Sequence, residues 1–293
     1  MENYSGKLEN LKSLEHISPG QADFFKALLN IKEKAKKSIA EDDFRLNLSQ
    51  QDLAARLNKF LPILTFPEIP FKNNLLEEIF QEISSLIKQY NPDSQEEIDS
   101  LAGYFQDQKH SLEQVIKDVA LGQAASLEVI EKSTGVKKNT LIFLANQLAK
   151  PFFESAAESL NFKLKDNQWL KGYCPVCGSA PLMAKLSRDD GKRILECCLC
   201  GTNWPFLRVK CPFCENEDKD SLRFFFVDDQ SQYRVDVCDK CKRYIKTVDE
   251  RKLPKDQEVV LAVDNIATSY LDILAEKETY VDFYSQQFVA EAS

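Results

Sequence analysis

Four Cys-x-x-Cys pairs within 68 residues limit what this chain can fold into more than any other feature of its sequence. They use eight of the nine cysteines, and none lies in the first 173 residues. Each pair places two sulfur atoms on one side of a tight turn, and two facing turns surround a metal ion tetrahedrally. The sequence therefore predicts two metal sites with eight ligands, which are Cys174, Cys177, Cys197, Cys200, Cys211, Cys214, Cys238 and Cys241.

The four pairs belong to two copies of one small unit. A β-hairpin is predicted between the two pairs of each copy, formed by 182–186 with 193–197 and by 222–227 with 232–237. The first pairs lie 37 residues apart and the second pairs 41, as in an internal repeat. We therefore expect sequential grouping, with the first four cysteines in one site and the last four in the other. Interleaved grouping is the alternative, although it would pull each hairpin away from the turns at its base.

The residues around the pairs favour sites made of cysteine alone. Gly178 and Gly201 tolerate the positive φ that aims backbone N–H groups at a thiolate. The two histidines, His16 and His110, are far from this region in the sequence. The ninth cysteine, Cys198, does not fall on the pair spacing and is interpreted as a packed thiol rather than a redox residue. Zinc and iron both accept four thiolates, so the spacing leaves both a structural and a redox-active ion open.

The rest of the chain has the periodicity of amphipathic helices. Ser49 with Asp52 and Ser94 with Glu97 are spaced as helix-capping pairs. Pro151 predicts a kink or a break in the longest apolar stretch. Helices are predicted over 19–39, 53–61, 74–90, 111–121, 123–133 and 140–160, and again after Pro254, where an apolar stripe runs from Val260 to Leu274.

These patterns together predict an α+β protein. A helical N-terminal domain over 1–164 is followed by two small metal-centred units over 165–210 and 211–253. A C-terminal helix and tail occupy 254–293. The N-terminal helices carry no recognisable chemistry, so the cysteine-rich half is where function is expected.

Charge and composition argue against several classes of function. The formal net charge is −8. Between Lys171 and Lys252 there are 16 Lys and Arg against 13 Asp and Glu, and eight thiolates around two divalent ions turn this small surplus into about −1. A phosphate-binding face needs a real basic surplus, so a nucleic-acid partner is not expected.

No apolar run is long enough to span a membrane. Clustered reduced cysteines favour the cytoplasm as the compartment of this protein. No nucleophile, acid–base or nucleotide-binding constellation favours an enzyme.

Several segments around the cysteines resemble one protein family. They lie between about 150 and 277, and the N-terminal helices match only loosely. The family is that of the formate dehydrogenase accessory proteins of the FdhE type. The segments are 150–152, 169–179 with Pro181, 191–197, 200–204, 208–214, 237–241, 244–249, and 263–267 with Leu271 and Asp272.

The resemblance implies a non-catalytic maturation factor. It implies a helical domain followed by two rubredoxin-like, or zinc-ribbon-like, metal units. Two mononuclear ions would be bound by the eight cysteines, with iron favoured and zinc as the alternative. The implied partner is the catalytic subunit of formate dehydrogenase, met in the cytoplasm, and self-association is compatible with this hypothesis.

Two other functional classes stay open, and one position departs from the family. The protein is alternatively a zinc-ribbon adaptor, which would be colourless, or a rubredoxin-like electron carrier, which would bleach on reduction. The family helix often has two adjacent acids where this chain has Asp264 and Asn265. If that acidic pair contacts the partner, the contact through Asn265 is in doubt, whereas little changes if Asp264 caps a helix.

Overall fold

The protein is described by a computed structural model covering residues 11, 14, 16–39, 49–106, 111–160, 164, 168–227 and 230–282. The chain divides into two compact units. One contains 18–46 and 66–160 and is helical, and the other contains 1–17, 47–65 and 161–293 and holds all the cysteines. Within the described residues, no helix is both long enough and apolar enough to cross a membrane.

The helical unit confirms the helices predicted from apolar periodicity. The first begins after Ser18, whose hydroxyl accepts from the Gln21 backbone N–H in a capping box. Buried leucine, isoleucine and phenylalanine side chains on the facing sides of the helices form its core. The helices are α1 (Pro19–Lys37), α3 (Asn73–Tyr90), α4 (Gln95–Gln106), α5 (Leu112–Ala120), α6 (Ala124–Thr134) and α7 (Lys138–Ser159), while α2 (Gln50–Asn58) belongs to the other unit.

Two local predictions in these helices differ from the structure. Helix α7 does not break at Pro151 but continues through it, because Phe152, Phe153 and Ala156 beyond the proline are buried in the core. The predicted cap at Ser94 is wrong. Pro92–Ser94 already form a helical turn that leads into α4, so the Ser94 hydroxyl donates to the Asn91 carbonyl instead.

Helix α2 and the loop after it belong to the cysteine-rich unit. Ser49 caps α2 as predicted, because its hydroxyl accepts from the Asp52 N–H while its own N–H donates to the Asp52 carboxylate. The grouping of 47–65 with 161–293 cuts across the domain limit predicted at 164. The predicted limits follow chain order, whereas the compact units follow contacts between distant segments. The limits at 164, 210 and 253 therefore stay predictions.

The cysteine-rich unit is built on one six-stranded sheet. Both predicted hairpins form, β1 with β2 and β4 with β5, each antiparallel. Strands β3 and β6, which the sequence analysis did not predict, extend the hairpins, and β1 pairs with β6 in parallel. The two repeats thus share one sheet with the order β3-β2-β1-β6-β5-β4. The strands are β1 (Pro181–Leu186), β2 (Arg193–Cys197), β3 (Asn203–Phe206), β4 (Leu222–Phe225), β5 (Tyr233–Cys238) and β6 (Arg243–Asp249).

Two C-terminal helices cover one face of this sheet. They are α8 (Leu261–Ala267) and α9 (Ser269–Lys277), where the sequence predicted one helix. The interruption lies at Thr268, whose hydroxyl donates to the Asp264 carbonyl at 2.7 Å. Apolar side chains from β5, β6 and α9 form a common core on this face. The α+β class is confirmed.

A buried ion pair joins the sheet to these helices. The Lys246 Nζ on β6 donates to the Asp272 carboxylate on α9 at 2.7 Å and to the Asn265 carbonyl at 2.7 Å. The Lys246 side chain is only 3% exposed, and burial lowers its pKa. The Tyr244 hydroxyl donates to the same carboxylate at 2.9 Å. The charge of Lys246 is therefore compensated mainly by Asp272, with a smaller contribution from Asp282.

We expect Asp272→Ala to destabilise the protein more than Lys246→Met does. Asp272→Ala leaves the buried ammonium of Lys246 without its main counter-charge and should lower the free energy of unfolding by about 3 kcal/mol. Lys246→Met removes the charge together with the cost of burying it and should lower the free energy of unfolding by about 1 kcal/mol. With its partner gone, the folded-state pKa of Lys246 falls further below the unfolded value of about 10.4. The unfolded state then binds more protons, so the deficit of Asp272→Ala should shrink as pH rises from 7 towards 10. Thermal unfolding over this range measures both effects, and equal losses for the two variants would contradict the expectation.

Candidate metal centres

The first four predicted cysteines meet at one point of the sheet. Their Sγ atoms all lie within 4.8 Å of one another, with Cys174 and Cys200 3.5 Å apart and Cys177 and Cys197 3.4 Å apart. A disulfide would need about 2.05 Å between sulfur atoms, and all nine cysteines are free. We refer to these four residues as the first cluster.

The last four cysteines form the second cluster. Their Sγ atoms also lie within 4.8 Å of one another, and the Cys211–Cys241 and Cys214–Cys238 distances are both 3.7 Å. Four ligands at 2.3 Å from a tetrahedral zinc ion stand about 3.8 Å apart. The grouping is thus the sequential one, and each cluster has the dimensions of a four-thiolate site.

The same backbone turn builds each pair. In the first pair of each repeat, the N–H two residues after the leading cysteine donates to its sulfur at 3.4 Å, from Val176 to Cys174 and from Phe213 to Cys211. The residue after each pair has a positive φ, which lets its N–H return to the carbonyl of the leading cysteine. These four residues are Gly178, Gly201, Glu215 and Lys242. Sequence analysis identified only the two glycines, although position relative to the pair would have found Glu215 and Lys242.

Two further side chains, those of Thr202 and Asn216, contact the sulfur atoms and were not predicted to do so. The Thr202 hydroxyl lies 3.1 Å from the sulfur of Cys200. The Asn216 side-chain amide donates to the sulfur of Cys238 at 3.7 Å. The Cys198 thiol is buried and lies outside both clusters. Hydrogen bonds of this kind stabilise negative charge on sulfur and orient the ligands.

The donor set of both clusters fits a bound cation. Burial raises the pKa of Cys174 and of Cys197, and contact with Cys241 together with burial raises that of Cys211. Buried thiols this close together cannot all ionise unless a positive ion lies between them. A divalent ion supplies that charge, so the eight cysteines can hold two metal ions. Four soft sulfur ligands suit zinc or iron.

The first cluster is enclosed by two neighbouring segments. The Ile63 N–H donates to the Pro175 carbonyl at 2.9 Å and the Leu64 N–H to the Val176 carbonyl at 2.7 Å, so the loop after α2 pairs with the first cysteine turn. Trp204, fully buried, donates its indole N–H to the Lys171 carbonyl at 3.0 Å. The second cluster is more open, since two of its cysteines are half-buried against one in the first.

Comparisons with a family profile, with related sequences and with a solved structure all find FdhE proteins. A family profile described as "FdhE, central domain" matches residues 173–208, which contain the whole first cluster. The protein FdhE homolog of Aquifex aeolicus (strain VF5) is 27% identical over 278 residues, covering 94% of this chain and 91% of that protein. The chain is similar to an FdhE protein over nearly its whole length. Protein FdhE of Escherichia coli (strain K12 / DH10B) is 40% identical over 111 residues, which cover 37% of this chain and 34% of that protein.

The fold is also shared with a solved member of the family. The crystal structure of the FdhE protein from Pseudomonas aeruginosa aligns with a TM-score of 0.59 at 18% identity, over 95% of this chain and 92% of that one. The family resemblance drawn from the cysteine-rich segments is therefore confirmed, and so is the mixed architecture. The role of the eight cysteines as metal ligands stays a prediction, supported by the geometry of the two clusters.

Proposed function

We propose that this protein is a non-catalytic accessory factor for the maturation or activation of formate dehydrogenase, acting in the cytoplasm. It docks the catalytic subunit of that enzyme through the unit that carries the two cysteine clusters. Nucleic acid and membrane insertion have no part in this role. Similarity to FdhE proteins supports the proposal, and the observation that carries it is the pair of four-cysteine clusters on one continuous sheet.

The arrangement suits a docking protein better than a catalyst. Each cluster uses all four ligand positions of a tetrahedral ion, so no open position remains for a substrate. The loop after α2 and the buried indole of Trp204 further close the first cluster. Two fully ligated ions fix the turns at the ends of the hairpins and make the sheet rigid. A rigid surface loses little entropy when it binds a partner.

We propose iron as the bound metal, held as one ion by Cys174, Cys177, Cys197 and Cys200 and as a second by Cys211, Cys214, Cys238 and Cys241. Iron in such a site supplies one-electron redox chemistry, whereas zinc supplies only a structural link. Metal analysis and a visible spectrum of anaerobically purified protein separate the two. We expect two iron ions per chain and visible absorption that bleaches on reduction. Two zinc ions in a colourless protein would favour the zinc-ribbon adaptor instead.

Association with the catalytic subunit tests the function directly. Tagged protein should retain the formate dehydrogenase catalytic subunit, and a strain lacking the gene should lose most formate dehydrogenase activity and regain it on complementation. Cys198→Ala, outside both clusters, is the control that should rescue fully. Normal activity in the deletion strain, with no association, would reject the proposal. Turnover with a reductase but no stable complex would identify an electron carrier.

A further inference from the structure

The two repeats can be aligned at their second cysteine pairs, which makes their edges comparable. Leu195 and Asp236 each lie two residues before the first cysteine of the second pair in their repeat. Leu195 pairs with Ala184 on β1, and Asp236 pairs with Phe224 on β4. Ala184 and Phe224 therefore occupy the same place in the two copies of the fold.

In the first repeat, this edge is covered by another strand. Strand β6 pairs in parallel with β1, with Thr247 beside Ala184 and Asp249 beside Leu186. Both β1 residues are completely buried as a result. The internal repeat thus contains its own example of an extended segment added to this edge.

In the second repeat, the equivalent edge has no strand upon it among the described residues, since β4 is the last strand of the sheet. Phe224 is 55% exposed and Phe226 39% exposed, and their rings stack at 6.3 Å. Exposed aromatic side chains along an uncovered strand edge are typical of a surface that accepts an additional strand.

A cavity of about 370 Å³ adjoins this edge, on the face of the sheet opposite to the C-terminal helices. Phe224 and Val209, both exposed, form part of its wall. The guanidinium of Arg234 lies 4.8 Å above the Phe224 ring. The wall also contains Cys211 and Cys238, so the cavity borders the second cluster. Its cationic side chains are Arg193, Arg208, Lys210, Arg223, Arg234 and Arg243.

The cations exceed the anions that face them. Among the described residues, Asp236 is the single carboxylate of the wall, and it is 3.0 Å from Arg234 and 3.8 Å from Arg193. Arg193 is 3% exposed, and its Nε and Nη2 atoms have no hydrogen-bond partner among the described residues. Lys210 and Arg223 have carboxylate partners outside the wall. Arg193, Arg208 and Arg234 therefore share the one carboxylate of Asp236 among the described residues of the wall.

Arg208 is the clearest part of this surplus. It is exposed, and it makes no hydrogen bond or ion pair with another residue in the described part of the chain. Burial lowers the pKa of Arg193, and the nearby charges of Arg234 and Arg208 lower it further. Three like charges crowded beside an open edge attract a carboxylate from outside.

We propose that β4 binds an extended segment of the formate dehydrogenase catalytic subunit as a seventh, parallel strand. The segment places an apolar side chain against Phe224 and an acidic side chain against the arginines at alternate positions. Alternate residues of a strand project to the same face, so both reach the cavity side. This inference rests on the proposed function and adds the surface and the chemistry of the contact.

A second copy of this chain fits the edge less well. The strand that would continue the repeat pattern is β3, the opposite edge of the sheet among the described strands. Pro205 lies within β3 and has no N–H to donate to a new ladder. The residues after β3 include Arg208 and Lys210, so two copies would bring like charges together.

Affinity for the catalytic subunit, measured by a titration with metal-loaded full-length protein, tests this surface. We expect Arg208→Glu and Phe224→Ala each to weaken binding about tenfold or more. Affinity of the unchanged protein should also fall as salt rises from about 0.05 to about 0.5 M. Lys255→Glu, with the same charge change at an exposed site outside the cavity, and Ile273→Ala, an exposed apolar residue on α9, should bind normally.

The outcomes separate the two proposals. If the unchanged protein binds and both cavity variants bind equally well, the surface is wrong while the proposed function stands. If the unchanged protein does not bind the subunit, the function fails and the inference fails with it. A monomer–dimer shift on Phe224→Ala without a change in subunit binding would assign the edge to a second copy. Retention of an oligonucleotide through Arg208 would assign it to nucleic acid, and either result would overturn the inference.

Discussion

Replacing Cys174 by serine is expected to leave one metal ion per chain instead of two. Cys174 is completely buried within the first cluster, and Val176 donates its N–H to the sulfur. A serine hydroxyl at this position does not ionise near neutral pH, so the ion loses one ligand of four together with its charge. Because a structural four-thiolate site contributes on the order of 10 kcal/mol to folding, we expect a loss of about 5 kcal/mol or more.

Metal analysis and thermal unfolding measure this effect, and the chain offers its own control. Cys198 is buried and adjacent to Cys197 in sequence, but it lies outside both clusters. Cys198→Ala should therefore keep two ions and a nearly unchanged unfolding temperature. Cys211→Ser should mirror Cys174→Ser by losing the ion of the second cluster alone. Two ions retained in Cys174→Ser would contradict the ligand assignment.

Among the Gly→Ala changes at described glycines of the cysteine-rich unit, Gly172→Ala is expected to lower the free energy of unfolding most. A Cβ atom at Gly172 would lie 1.7 Å from the carbonyl oxygen of Pro212 and 2.5 Å from its carbonyl carbon. These are backbone atoms and cannot rotate away. Gly172 precedes Cys174 by two residues and Pro212 follows Cys211, so the added methyl pushes the two cysteine turns apart. We expect a loss of about 3 kcal/mol.

The control for this change is another glycine. Gly103 lies inside helix α4, and a Cβ atom there would meet nothing within 4 Å. Gly103→Ala should stabilise the protein by about 0.5–1 kcal/mol, because alanine loses less backbone entropy in a helix. Calorimetric unfolding of both variants, loaded with metal, compares them. A Gly172→Ala protein that unfolds at the normal temperature would show that the two turns do not depend on their close approach.

Much of the fold was predictable because its signals are local. The hairpins were found because each strand pair is separated by a short turn, and α3 was found because its apolar residues recur at helical spacing. The interruption at Thr268 was missed, and the break that was predicted at Pro151 as one of two outcomes does not occur. Both depend on packing and hydrogen bonds that local propensity does not describe.

In the candidate metal sites too, the local features were predicted from the sequence and the contacts between distant residues were not. The eight cysteines, their grouping and the left-handed glycines came from spacing alone, because a Cys-x-x-Cys turn is complete within a few residues. Asn216 was missed because it reaches a cysteine of the other pair, 22 residues away. The loop at Ile63 and Leu64 was missed because it meets the first cysteine turn more than 100 residues later.

The sequence by itself determined the two repeated four-cysteine units, since their ligands and hairpins are set by short-range spacing. Only the tertiary structure decided that the repeats share one sheet through the parallel pairing of β1 with β6, whose residues are about 60 positions apart. That pairing covers the edge of β1 in the first repeat. The equivalent edge of the second repeat, at β4, has no strand beside it among the described residues. Which edge is covered depends on how two similar units pack together, and no spacing within either unit encodes it.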